Sequence, residues 1–280
     1  MTEHKGVSLH IGLNFVDPDH YQGWDGELKG CENDARDLIA IAEKAGFETS
    51  LLLNGEATAE PVKTAIADAA TKLEEGDLFW LTYSGHGSQV PDTNADEPDR
   101  LDETWVLFDR QLVDDELYAL WSKFAPGVRI LVLSDSCHSG SAIRETLDAV
   151  RPEALDGALT VPAANGMRTM PKAQQEAVYD ANKALYDKVQ DDVPDGDLVD
   201  VGAHVLLLSG CQDNQTSADG SRNGLFTQTL LGVWDGGKYE GAYKRFYNAI
   251  VAKMPPWQSP NWMTVGPASA GFHRRRPFTP

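Results

Sequence analysis

Apolar residues gather along the chain in two kinds of stretch, short runs and longer segments with helical spacing, and the two kinds alternate. Residues 7–15 alternate apolar and polar side chains as a strand does, until Asp17-Pro18-Asp19 breaks the pattern. A polar loop leads to 31–45, where Ala35, Leu38, Ile39, Ala42 and Ala45 fall at helical spacing, with Glu32 and Asp34 near the start and Gly46 at the stop. A second strand is expected over 47–53, a second helix over 58–73, and a strongly apolar third strand over 77–83. Strand and helix in regular alternation predict an α/β sheet.

Residues 91–115 are acidic and poor in helical pattern, with one short apolar piece at 105–108, and read as a surface hairpin or lid. A helix over 115–124 leads into 128–133, where Val, Ile and Leu occupy both parities. Such a run is a strand covered on both faces, which points to a parallel sheet. It stops at the small polar cluster Ser134-Asp135-Ser136-Cys137-His138-Ser139-Gly140. Residues 141–200 turn rich in Ala, Asp, Pro and Arg around one helical stretch at 173–189. Beyond them come a strand at 203–208, helices at 225–234 and 243–254, and an edge strand at 261–265. We read one domain over 1–280, with a large half 1–140, a connecting segment 141–200 and a small half 201–280.

With 280 residues and 41% hydrophobic content the chain can bury a sizeable core. Its three cysteines, Cys31, Cys137 and Cys211, are odd in number and far apart, which predicts a reducing compartment and no disulfide framework. The first residues lack the apolar core of a signal peptide, and no apolar run approaches the roughly 18 residues that span a bilayer. The expectation is a cytoplasmic protein without membrane contact. A formal charge of −19 disfavours nucleic acid and anionic membranes and favours basic ligands or basic protein segments. Plain solubility is the other reading of that charge.

Ligands of an open parallel sheet bind beyond the carboxyl ends of its strands, where strand order reverses. Three polar motifs are expected at such ends: Gly30-Cys31-Glu32-Asn33-Asp34-Ala35, Ser84-Gly85-His86-Gly87 and Asp135-Ser136-Cys137. Neighbouring parallel strands lie about 4.8 Å apart, so residues just past adjacent ends come within side-chain reach. A thiol of ordinary acidity is only slightly ionised at neutral pH, and an imidazole beside it activates it. His86 suits that role for Cys137, and the backbone N–H groups of Gly87 and Cys137 are candidate donors to an oxyanion. Each residue also has a plainer reading. A free cysteine is most often a small buried hydrophobe, and a histidine in a glycine turn is often merely solvated.

Residues 83–88 and 135–140 together, with the histidine 51 positions before the cysteine, resemble the two catalytic motifs of the metacaspases and orthocaspases, among the caspase-like cysteine peptidases. The Gln-Ala-Cys signature of true caspases is absent. The resemblance continues through 30–35, 101–104, 113–117 and 209–217. It implies a caspase-like α/β sandwich, with a mostly parallel sheet of about six strands and helices on both faces. It also implies a cysteine endopeptidase that cuts proteins or peptides after Arg or Lys through a Cys137–His86 dyad and an acyl-thioester. The primary pocket it implies is Cys31, Asp34, Ser84 and Asp135. Two carboxylates in a partly desolvated pocket bind a guanidinium or ammonium and reject an acid. Asp34 has a second reading, as a helix-start acid.

Further implications follow from the family. No cofactor is needed for the chemistry, the partners are basic protein or peptide substrates, and relatives are generally monomers. Calcium activates many members; the matching positions here are Asp102, Asp114 and Asp115, with Arg144 where the pattern has a carboxylate. A cation there removes an oxygen ligand and repels a divalent ion, and Asp114-Asp115 also suit the start of a helix. Relatives cut themselves in the connecting segment. Arg144, Arg151, Arg168, Lys172, Lys183 and Lys188 are candidates, Arg168 and Lys172 first because they precede the expected helix. Arg274-Arg275-Arg276 read as a solvated tail or as an occupant of an acidic cleft. The alternative function is a catalytically silent caspase-like signalling or scaffold domain. A zinc site at Cys137 and His138 fails on ligand spacing.

Overall fold

The computed structural model describes residues 4–93, 100–136, 166–193, 199–212, 215 and 217–280. The expected alternation is present: β1 (Gly6–Gly12), α1 (Cys31–Lys44), β2 (Glu48–Leu53), α2 (Ala59–Lys72) and β3 (Leu78–Ser84). Next come β4 (Gly87–Pro91), β5 (Leu101–Val106), β6 (Gln111–Val113) and α3 (Asp114–Trp121), then β7 (Arg129–Asp135). After the connecting segment the described elements are α4 (Lys172–Asp192), β8 (His204–Ser209), α5 (Leu225–Trp234), α6 (Tyr243–Val251), β9 (Asn261–Val265) and the short α7 (Ala270–His273).

Six strands form the main sheet in the order β2-β1-β3-β7-β8-β9, all parallel except β9. From β1 the chain moves outward to β2 and then crosses back to β3, so the order reverses between β1 and β3. That is where a crevice opens at strand carboxyl ends.

Side-chain parity assigns the two cores. Phe79, Leu81 and Tyr83 of β3 and Ile130 and Val132 of β7 pack with Val62 and Ile66 of α2 and Leu117 and Leu120 of α3. The alternate residues, Leu78, Trp80, Leu131 and Leu133, pack with Leu38 of α1, Phe226 and Leu230 of α5 and Phe246 of α6. Both strands are buried along their whole length, which explains why their sequences are apolar on both parities. Asp135 shares the parity of Leu131 and Leu133 and is paired in register with Ser84. It therefore emerges on the face of α1 and α5.

The segment expected as a hairpin or lid is a separate three-stranded antiparallel sheet, β4-β5-β6. Its middle strand escaped the hydrophobic pattern because two of the residues on its buried parity are polar, Asp102 and Thr104. The carboxyl-terminal residues also differ from a solvated tail. Phe278 stacks on Trp80 with centroids 4.3 Å apart, and the Arg276 guanidinium lies 4.6 Å over the Trp234 ring while donating to the Tyr239 carbonyl. Among the described residues no helix is long and apolar enough to cross a membrane.

Candidate active site

His86 occupies the turn between β3 and β4 and is 6% exposed. The Tyr83 hydroxyl donates to the His86 carbonyl at 2.6 Å, and the Tyr83 ring stacks on Trp105 at 4.5 Å. A side chain at Gly85 would strike that hydroxyl, its Cβ lying 2.5 Å away, so the glycine before the histidine is a packing requirement. On the imidazole, Nε2 is 2.9 Å from the Gly26 carbonyl oxygen. A carbonyl only accepts, so Nε2 carries the proton and neutral His86 leaves Nδ1 as its basic nitrogen. Nδ1 has no hydrogen-bond partner among the described residues. Trp24 covers the ring at 4.8 Å. Burial pushes the His86 pKa down to about 4, so the ring is neutral at neutral pH.

An acidic slot lies beside it, and a cation fills it. The Arg168 side chain is fully buried there. Its Nη2 donates to Asp34 Oδ2 at 2.7 Å and to Asp219 Oδ1 at 3.0 Å. Its Nη1 donates to the Asp135 carbonyl at 3.0 Å and lies 3.1 Å from Asp135 Oδ2. The carboxylates are themselves held in place. Asp34, on the first turn of α1, accepts from Asn223 Nδ2 and the Gly224 amide. Asp135, at the end of β7, accepts from Ser217 Oγ at 2.6 Å and from the amide and hydroxyl of Thr227. Asp219 accepts from the amides of Lys29 and Gly30. Burial pushes the Asp34 carboxyl up to about 7, against the pull of the Arg168 guanidinium and with the Asp135 charge adding to the rise. Burial also penalises the guanidinium charge, yet Asp135 foremost and its neighbours keep the Arg168 pKa well above the ordinary value.

The backbone around Arg168 is laid along the crevice. Its amide donates to the Ser217 carbonyl at 2.9 Å, and the Asp219 amide donates to the Gly166 carbonyl at 2.7 Å, an antiparallel pairing about Met167 and Ala218. On the other side the Gly87 amide donates to the Arg168 carbonyl at 3.0 Å, and the Met170 amide to the Gly87 carbonyl at 2.9 Å. This is strand addition to an exposed edge, the way an extended peptide is commonly bound.

Of the four pocket residues expected from sequence, Asp34 and Asp135 touch the guanidinium. Ser84 is buried and in register with Asp135 on the neighbouring strand. Cys31 is buried at the start of α1, where burial pushes its thiol well above the ordinary range. Cys137, Arg144 and Arg151 lie outside the described residues. Lys183 and Lys188 sit on α4 paired with Asp187 and Asp192 one turn on. Asp102, on β5, and Asp114 and Asp115, at the start of α3, belong to no group of three acidic, histidine or cysteine side chains fit for a metal among the described residues. The Asp114 carboxylate accepts from the Asp115 amide, an ordinary helix-start contact. Arg144, the fourth position of the expected calcium site, lies outside the described residues.

Sequence reasoning missed Gly26, Trp24, Asp219, Asn223, Gly224 and Thr227. Asp219 had the nearest signal, since it lies two residues beyond the 209–217 segment and shares the parity of Ser217.

A mostly parallel sheet with a buried histidine and an acidic slot at its switch point defines a caspase-fold protein. Residues 14–265 match the family model described as the caspase domain, and the chain belongs to that family of cysteine peptidases. Within it the chain is metacaspase-like. It is 32% identical over 278 residues to Metacaspase-1 of Mycosarcoma maydis, covering 88% of this chain and 66% of that protein. It is 31% identical over 256 residues to Metacaspase-1 of Schizosaccharomyces pombe, covering 81% and 58%. The chain thus matches roughly half to two thirds of the length of these relatives. Among solved structures, protein GSU0716 from Geobacter sulfurreducens is 50% identical with a TM-score of 0.88 over 98% of both chains. Caspase-1 from Spodoptera frugiperda shares the fold at 12% identity, with a TM-score of 0.54 over 94% of this chain and 87% of that one.

Proposed function

We propose that the chain is an endopeptidase that cleaves proteins or peptides after Arg or Lys, with Cys137 as nucleophile and His86 as base. The observation that carries this reading is Arg168, whose guanidinium fills the acidic slot while its carbonyl accepts from the Gly87 amide. One residue thus has its side chain where a basic specificity residue belongs and its carbonyl on a candidate oxyanion donor.

In this reading His86 Nδ1 takes the thiol proton as sulfur attacks the carbonyl carbon, and the Gly87 amide stabilises the oxyanion. The Gly26 carbonyl holds the tautomer that leaves Nδ1 basic. His86 then protonates the leaving amine, and water releases the acyl group from the thioester. Of the self-processing candidates among the described residues, Arg168 is the one supported by its placement, so the proposed first substrate is the chain's own Arg168–Thr169 bond. The protein acts as a monomer in the cytoplasm. Calcium enters the proposal as an activator and not as a catalyst.

The test is hydrolysis of fluorogenic peptides ending in Arg, Lys or Asp, with Cys137→Ala as control. Cleavage of Arg and Lys peptides that disappears in the control supports the proposal. Activity on Asp peptides alone overturns the pocket reading, and equal rates in the control overturn the mechanism. A rate that drops with chelator and returns with calcium supports the activator; an unchanged rate removes it.

A further inference from the structure

Two glycines flank the seated guanidinium, and the backbone at neither one calls for glycine. Gly224, the N-cap of α5, has a φ of −61° and a ψ of 153°, and Gly30, the N-cap of α1, has a φ of −94° and a ψ of −20°. Any L-residue adopts either pair. An N-cap also takes Ser, Thr, Asp or Asn at least as readily as Gly. The reason for a missing side chain therefore lies in what surrounds each position.

At Gly30 that reason is mixed. A Cβ there would lie 2.8 Å from Asp219 Oδ1 and 3.0 Å from both Arg168 Nη2 and the Asn223 carbonyl carbon, so part of the conflict is with loop backbone, whatever fills the slot. Gly224 differs. A Cβ there would lie 2.6 Å from Arg168 Cζ, from Arg168 Nη1 and from Asp135 Oδ2, so its nearest atoms belong to the cation and to one carboxylate that holds it. Atoms in favourable contact stand about 3.5 Å apart or more, so the guanidinium would have to shift by roughly 1 Å. A fully buried head held by Asp34, Asp135 and Asp219 cannot shift that far and keep its bonds. The Gly224 amide donates to Asp34, and alanine keeps that donor. Substitution therefore changes the width of the slot and leaves its hydrogen-bond donors in place.

We infer that Gly224 is a specificity-determining residue: the space left by its missing side chain is the space that the head of an arginine occupies. The inference rests on the basic-residue specificity proposed above. A single methyl group at 224 expels the guanidinium and leaves three buried carboxylates without their cation, a costly arrangement.

Stability reads this contact without any turnover. In the Cys137→Ala background, Gly224→Ala and Arg168→Ala are compared singly and together by thermal unfolding. Each is expected to lower Tm by about 5 °C or more, and the pair to lie within about 2 °C of Arg168→Ala, because the methyl group then has no guanidinium to strike. Additive losses mean that the methyl group acts through Asp135 or the helix cap, and no loss in Gly224→Ala means that the slot has room for it; either overturns the inference. Turnover is the second readout. With Cys137 intact, Gly224→Ala is expected to lower kcat/KM on Arg peptides about 100-fold or more, and an unchanged value also overturns the inference. If the wild type cleaves no Arg peptide, the proposed function itself fails, while the unfolding comparison still decides whether Gly224 makes room for the guanidinium.

Discussion

The Gly87 amide and the Arg168 carbonyl are joined at 3.0 Å, and the same Arg168 reaches three carboxylates with its guanidinium. One peptide unit is held from both ends in the crevice, the geometry of a substrate before attack. Purified protein is therefore expected to cut itself between Arg168 and Thr169. Mass spectrometry should find a fragment that begins at Thr169, absent in Arg168→Ala and Cys137→Ala. A fragment with the same start in Cys137→Ala would assign the cut to another protease. Arg168→Lys, which replaces the guanidinium fork with a single point charge, should be processed about tenfold more slowly.

Asp135 receives more hydrogen bonds than a simple surface acid would. Ser217, Thr227 and Arg168 all converge on it. Asp135→Asn removes the charge and turns one acceptor into a donor facing other donors. The expected loss in kcat/KM on Arg peptides is about 100-fold, with circular dichroism unchanged. A loss below about threefold would count against a role in binding the cation.

The two perturbed groups predict different limbs of the pH profile. Asp34 must be ionised to bind a guanidinium, and its pKa is pushed up to about 7. Cleavage of Arg peptides should thus weaken as pH falls through about 7. His86, pushed down to about 4, stays neutral across that range and contributes no limb there. In Asp34→Asn the residual activity should lose the limb near 7. A limb that persists in that variant belongs to another group.

Gly26 adopts a φ of 59°, and a Cβ there would lie 3.1 Å from His86 Cδ2 and 3.0 Å from Trp24. Gly26→Ala strains the left-handed backbone and displaces the carbonyl that orients the imidazole. The expected result is a fall in kcat of about tenfold or more with KM little changed. A change confined to KM would place Gly26 in substrate binding instead.

Stability should fall in acid because of a histidine buried inside the sheet. His10 is buried in β1, bonded to Ser8 and Thr82, and burial pushes its pKa down to about 3. Between that value and the ordinary 6.5 the unfolded chain binds a proton that the folded chain refuses. Its contribution is thus neutral above pH about 6.5 and increasingly unfavourable below, reaching about 3 kcal/mol near pH 4. His10→Gln should flatten the decline of unfolding free energy between those pH values, measured in denaturant. An unchanged slope would mean His10 does not titrate on unfolding.

The sequence by itself determined the sheet and one wall of the site. The β3 and β7 runs are legible because strands covered on both faces must be apolar on both parities, and the motifs after them mark their carboxyl ends. Parity also placed Asp135 on a definite face before its partners were known. Position along the chain did not show which partners those were. Asp219 and Asn223 reach α1 across about 190 residues, through loops with no periodicity to read. Gly26 meets His86 by a backbone carbonyl, which every residue has and no sequence pattern marks. The sequence puts Arg168 and Lys172 first among the basic residues of the connecting segment but does not rank the two; pairing with Ser217 and Gly87 distinguishes Arg168. Local composition encodes burial and strand direction because these depend on neighbours in sequence. The occupant of a charged slot depends on which distant loops close around it, and only the folded chain decides that.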